Sequence, residues 1–176
     1  SNRFQVDRFQ HEQIANALNG FIHQVSESWS LSPRDVQYLQ WAVLLHEVGR
    51  TIAFSGYHRH SAYIVQHADL PGFSRREQQL LSMLIASHRG KIKTVDEQEW
   101  SVLPTKNQFK MLALLRLSIR LHRKRVPLQI TLSLRVEDNI LQLDIPRDTL
   151  ISQPLLRADL EHERRQLAML GLVLQF

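Results

Sequence analysis

The sequence predicts a mainly α chain that closes on a small β-β-α-β appendage. Two observations carry this expectation. Helix-start signals followed by apolar residues at steps of three or four recur from Asp7 to about Arg125, and after Pro127 the apolar period switches to two. A third bounds the size: 176 residues, 43% of them hydrophobic, suffice for one domain or for one domain with an appendage. The expected division is 1–126 for the helical body and 127–176 for the α+β segment.

The elements follow in order. Asp7 with Gln10 reads as a capping box, and Ile14, Leu18, Phe21, Val25 and Trp29 form one helix face. Ser32-Pro33-Arg34-Asp35 starts a second helix, which carries Leu39, Ala42, Val43 and His46 on one side and stops at Gly49 through a left-handed cap. His58 to Ala68 forms a short helix with Ala62, Val65 and Tyr63 inward, ended by Pro71-Gly72. Ser74 and Glu77 make another capping box; Leu81, Leu84, Ile85 and His88 then share a face up to Gly90. Residues 91–104 read as irregular. Thr105 with Gln108 caps a helix that Pro127 ends.

Beyond it, Leu128, Ile130, Leu132 and Leu134 alternate with polar residues. Glu137-Asp138-Asn139 turns the chain, and Leu141, Leu143 and Ile145 alternate again. A helix over about 155–170 has Leu156, Leu160, Glu163 and Leu167 at helical steps. The tail 172–176 supplies a third strand, because an isolated hairpin is marginal.

Composition excludes several chemistries. There is no cysteine, hence no disulfide, thiolate nucleophile or Cys-type zinc site. The six glycines are scattered singly, without phosphate-loop spacing. No apolar run reaches membrane-spanning length, so a cytoplasmic protein without a membrane partner is expected. The opening Ser1-Asn2 leads to the expectation that the chain is part of a longer protein. A net charge of +5 favours acidic partners. Between Trp100 and Val136 no Asp or Glu occurs, whereas Arg116, Arg120, Arg123 and Lys124 do. On a helix these four form a cationic outer stripe opposite Met111, Leu112, Leu115 and Ile119. Like charges at i,i+4 cost a few tenths of a kcal/mol per pair, roughly, so a polyanion or an acidic neighbour is expected to offset them. Arg89, Lys91 and Lys93 follow His88 as a second basic cluster, of which Arg89 is explained by the helix dipole alone.

Trp41-Ala42-Val43-Leu44-Leu45-His46-Glu47-Val48-Gly49 followed by His58-Arg59-His60-Ser61 and Ser87-His88-Arg89-Gly90 resembles the C-terminal part of the exopolyphosphatase/guanosine pentaphosphate phosphohydrolase family, through most of residues 2–100. The resemblance implies a helical bundle like the HD domains of metal-dependent phosphohydrolases, with His46, Glu47, His60 and His88 in the HD-like pocket. It departs from the metal-binding set. The pair is His-Glu, the early ligand position falls at Gln10 or His11, and Leu114–Ile119 offers no acid. The reading taken is that His46 and His88 tie helices together, with no catalytic residue and no metal in this chain.

The resemblance further implies that hydrolysis belongs to N-terminal actin-like ATPase-fold domains using a divalent cation such as magnesium. The present module would help to hold polyphosphate or guanosine pentaphosphate and to form a homodimer. Two alternatives stay open: a working HD-type hydrolase built on His46 and Glu47, and a nucleotide-sensing module.

Overall fold

The computed structural model describes residues 2–92, 103–124 and 130–176, with side chains in the first helix from Arg8 onward. Lys93, Arg125, Pro127 and Leu128, which the sequence reading invoked, lie outside the described residues. The architecture is mainly α with a three-stranded sheet. Contacts group Ser1–Leu31 with Arg116–Phe176, and Ser32–Leu115 as a second unit. This grouping does not follow chain order: the first helix groups with the C-terminal segment.

In the first unit, α1 (Asn2–Val25) buries Ile14, Leu18, Phe21 and Val25. It starts earlier than the Asp7 signal suggested. Residues 7 and 10 therefore lie inside the helix rather than forming a capping box at its start, and the Gln10 amide donates to the carbonyl of His122 at 2.6 Å. Trp29 is buried but lies beyond the helix, its indole N–H donating to the Asp138 carbonyl at 3.2 Å. β1 (Ser133–Glu137) and β2 (Ile140–Asp144) pair antiparallel, with Leu134 opposite Leu143 and Val136 opposite Leu141. Ile130 and Leu132, expected in the strand, precede it. β2 ends before Pro146, which has no N–H to extend a ladder.

A short helix that the sequence reading missed, α6 (Arg147–Ser152), follows β2, and α7 (Pro154–Ala168) begins on a proline. Leu156, Leu160, Glu163 and Leu167 are the buried face of α7, as their spacing predicts. β3 (Val173–Gln175) adds parallel to β2 and completes the order β1-β2-β3.

The second unit is built on caps. Ser32 and Asp35 exchange side-chain bonds at the start of α2 (Pro33–Leu45), and Ser74 and Glu77 do so at the start of α4 (Arg75–Ser87). Glu77 also accepts from the Tyr38 hydroxyl at 2.7 Å and pairs with Arg34. The Tyr38 bond, the Arg34 bond and the Ser74 N–H together hold its carboxyl down at about 2. α3 (Tyr57–His67) packs on α4: Ser82 donates to the Ala62 carbonyl at 3.0 Å, and Gln78 donates to the carbonyls of Val65 and Ala68. Tyr63, expected inward, is 64% exposed.

Gly49 is not a left-handed cap. It is buried in a 3-10 turn (Val48–Thr51), where a Cβ would lie 2.3 Å from the Ser61 nitrogen and 2.4 Å from the Tyr57 oxygen. The glycine serves close approach of two backbones rather than a positive φ. The positive-φ cap occurs at Gly90, after α4, with φ 75°.

Helix α5 (Gln108–Leu121) corrects the amphipathic expectation. Every residue from Met111 to Ser118 is buried, so it is an interior helix all round. Its residues through Leu115 group with the second unit and those from Arg116 with the first. No helix among the described residues is long and apolar enough to cross a membrane.

Candidate functional site

Two helix C-termini build the histidine cluster. His46 is the C-cap of α2 and His88 the C-cap of α4. Each Nδ1 lies 2.6 Å from the carbonyl three residues earlier, Val43 for His46 and Ile85 for His88. A carbonyl only accepts, so each Nδ1 carries the proton and satisfies a carbonyl that the helix end leaves open. The two rings meet edge to face with centroids 5.2 Å apart. Tyr57 and His58, at the start of α3, close around His88 with ring centroids 5.8 and 6.1 Å away.

Burial, followed by the nearby His46, pushes His88 well below the usual histidine range. Burial, followed by Arg89, lowers His58 as well. Both rings are therefore neutral at physiological pH. Ser61 locks the turn beside them: it donates to the His46 carbonyl and accepts from the Gly49 N–H, each at 2.8 Å.

Of the four residues assigned to the HD-like pocket, His46 and His88 come together and the other two do not join their ring cluster. Glu47 accepts from Arg50 at 3.0 Å. The Cβ of His60 lies where a side chain on Gly49 would meet it. His58 stands against His88 instead. The signal for it was present in the sequence, because His58, Ala62 and Val65 fall at i, i+4 and i+7 of α3, the face already expected to turn inward.

Among the described residues no group of three His, Asp or Glu side chains could hold a metal ion. His46 and His88 donate Nδ1–H to backbone carbonyls, which leaves each Nε2 as the ring's acceptor, and that of His88 is buried without a hydrogen-bond partner among the described residues. Two imidazoles with no third His, Asp or Glu placed among the described residues to join them in holding an ion fall short of a divalent-cation ligand set, and Glu47 accepts from Arg50 instead.

The basic stripe is redrawn more strongly. Arg116 is 1% exposed rather than on an outer face. Its Nε donates to Glu163 Oε2 at 2.8 Å and its Nη2 to Oε1 at 3.0 Å. Arg120 donates to the same Glu163 at 2.8 and 3.1 Å and reaches Asp159 at 3.5 Å. Arg123 pairs with Asp159 at 2.9 Å with its side chain still 61% exposed. The repulsion at i,i+4 is thus offset by two carboxylates of α7. Among the described residues, the cations of the expected site left facing solvent are Arg123 and Lys124 after α5, and Arg89 and Lys91 after α4. Arg89 lies 4.8 Å over the Tyr57 ring.

The histidine cluster is thus an interior one at two helix ends, and Arg116 and Arg120 of α5 are paired to acids of α7. Residues 1–164 match the family described as Ppx/GppA phosphatase, domain III, and the chain belongs to that family. It is 34% identical over 170 residues to a guanosine-5'-triphosphate,3'-diphosphate pyrophosphatase of Photobacterium profundum, covering 96% of this chain and 34% of that protein. A protein of the same description from Vibrio atlanticus is 34% identical over 172 residues, covering 97% and 34% respectively. One from Vibrio cholerae is 32% identical over 171 residues, covering 96% and 34%. The chain spans about a third of the length of these relatives.

Proposed function

We propose that this chain is the accessory C-terminal module of a phosphoanhydride hydrolase of the exopolyphosphatase/guanosine pentaphosphate phosphohydrolase type. Its role is to hold a polyanionic substrate and to help assemble a homodimer. Cleavage belongs to N-terminal actin-like ATPase-fold domains of the parent protein, where a divalent cation such as magnesium acts. The observation that carries this reading is the state of the HD-like position. His46 and His88 stand together without a third side chain placed among the described residues to complete a metal site, and Glu47 is paired with Arg50, so the ligand set that an HD-type hydrolase needs is incomplete. The relatives' description as guanosine-5'-triphosphate,3'-diphosphate pyrophosphatases supports the substrate class. Exposed apolar side chains, Phe54 and Ile52 in one unit and Leu155 in the other, support burial against further protein.

Polyanion contact falls to the exposed cations: Arg123 with Lys124, and Arg89 with Lys91. Arg116 and Arg120 serve the fold. Binding of long-chain polyphosphate releases counterions, so affinity falls linearly with salt on logarithmic axes. Arg123→Glu with Lys124→Glu should weaken binding by roughly tenfold or more and reduce the slope by about one per lost contact. The fold should persist, because exposed substitutions cost within about half a kcal/mol. Titration of the purified chain at several salt concentrations reads both quantities. Unchanged affinity and slope in a folded variant would remove Arg123 and Lys124 from the polyanion site.

A further inference from the structure

A second basic region lies in the C-terminal segment. A cavity of about 490 Å³ in the first unit is lined by Ile145, Arg147, Leu150, Ile151, Arg157, Glu161, Arg164 and Phe176. Its size falls within the range of small-molecule sites, roughly 300–1,000 Å³. Three arginines share it with one carboxylate, and that carboxylate is already neutralised: Glu161 accepts from Arg164 at 2.9 Å.

Arg164 has a fixed position. It also donates to the Leu174 carbonyl at 3.0 Å, and its guanidinium lies 4.4 Å from the centre of the Phe176 ring. That arginine therefore acts as the frame that orients Phe176 as a wall. Arg147 and Arg157 are different. Neither has an ion-pair partner among the described residues, and both are exposed. Arg157, Glu161 and Arg164 fall at i, i+4 and i+7 on α7, so one helix face presents both the frame and one of the unpaired cations.

Beside those two cations the wall is apolar. Leu150 and Ile151 come from α6, Ile145 from the residue after β2, and Ile151 is 70% exposed. Cations alone would suit any inorganic polyanion. Cations beside an aromatic ring and three aliphatic side chains suit an anion that carries an apolar, flat body. We propose that this cavity binds an organic phosphate of nucleotide size, with phosphate between Arg147 and Arg157 and the base against Phe176, Leu150 and Ile151. The site shares no residue with the polyanion site proposed above and does not rest on it.

Calorimetric titration of the purified chain tests this with two probes, GTP and inorganic tripolyphosphate, which carries similar charge without a base. GTP should bind saturably and more tightly than tripolyphosphate. Arg147→Glu and Arg157→Glu should each weaken GTP by roughly tenfold, the scale of one charge-assisted contact. Phe176→Ala should weaken GTP and leave tripolyphosphate unchanged. Arg123→Glu with Lys124→Glu should leave GTP binding intact, which separates this site from the other. Melting curves by circular dichroism confirm that each variant is folded. Three outcomes overturn the proposal: no saturable GTP binding, equal affinity for both probes with no effect of Phe176→Ala, or GTP affinity unaltered in both folded arginine variants.

Discussion

Glu163→Gln should destabilise the chain by about 3–5 kcal/mol, the usual cost of stripping one partner from a buried ion pair. Arg116 is 1% exposed and receives both oxygens of Glu163, and Arg120 shares the same carboxylate. The amide keeps the volume but removes the carboxylate that both Arg116 and Arg120 share, weakening the compensation of a buried guanidinium. The cost is desolvation left uncompensated, not the intrinsic worth of the pair. Replacing both partners should therefore cost much less than replacing one. Arg116→Met with Glu163→Leu removes cation and anion together, while Arg120 keeps Asp159. Urea unfolding of the single and double variants gives the coupling directly. A loss below about 1 kcal/mol for Glu163→Gln would mean that Arg116 reaches water or another anion.

Gly49→Ala should be nearly as damaging although it adds a single methyl group. The new Cβ would meet backbone at 2.3 and 2.4 Å and the His60 Cβ at 2.7 Å. A side chain could rotate away, but the Ser61 nitrogen and Tyr57 oxygen belong to α3 and move only with it. Separating the 3-10 turn from α3 also breaks the Ser61 link between the Gly49 N–H and the His46 carbonyl. Overpacking costs roughly 1–3 kcal/mol, and an orphaned buried N–H a similar amount again. Gly20→Ala is the contrast: that glycine sits within α1 with nothing within 4 Å of an added Cβ. It should stabilise by about 0.5–1 kcal/mol through helix propensity. Thermal unfolding of the two variants should move in opposite directions. Equal, small shifts would show that α3 yields to the methyl group without cost.

What the sequence made legible were features whose cause is local. Ser32 with Asp35 and Ser74 with Glu77 declare their helices because both halves of a capping box lie within four residues. The period-two run through Leu141 and Leu143 declares a strand for the same reason. Glu163 was legible as an inward residue, sharing helical steps with Leu156, Leu160 and Leu167. Its partner was not. Arg116 lies 47 residues away, and a charge pattern read along one helix cannot see an acid delivered from another. The stripe therefore looked outward when half of it faces in. At the histidine cluster, His58 shares a face of α3 with Ala62 and Val65 and stands against His88, a neighbour that helical spacing makes legible. Gly49 was flagged for the wrong physics, since close approach and left-handed backbone both select glycine and only coordinates distinguish them.

The central claim is that this chain binds and positions but does not cleave. Phosphate release from long-chain polyphosphate and from guanosine pentaphosphate by the purified chain tests it most directly, with magnesium or manganese supplied. Among the described residues His46 and His88 have no third His, Asp or Glu with which to hold a metal ion and activate water, and Glu47 is paired with Arg50. The expected result is release no faster than in buffer, for the chain and for its His46→Ala variant alike. Turnover by the chain that His46→Ala abolishes in a folded protein would contradict the account and make the histidine cluster a hydrolytic centre.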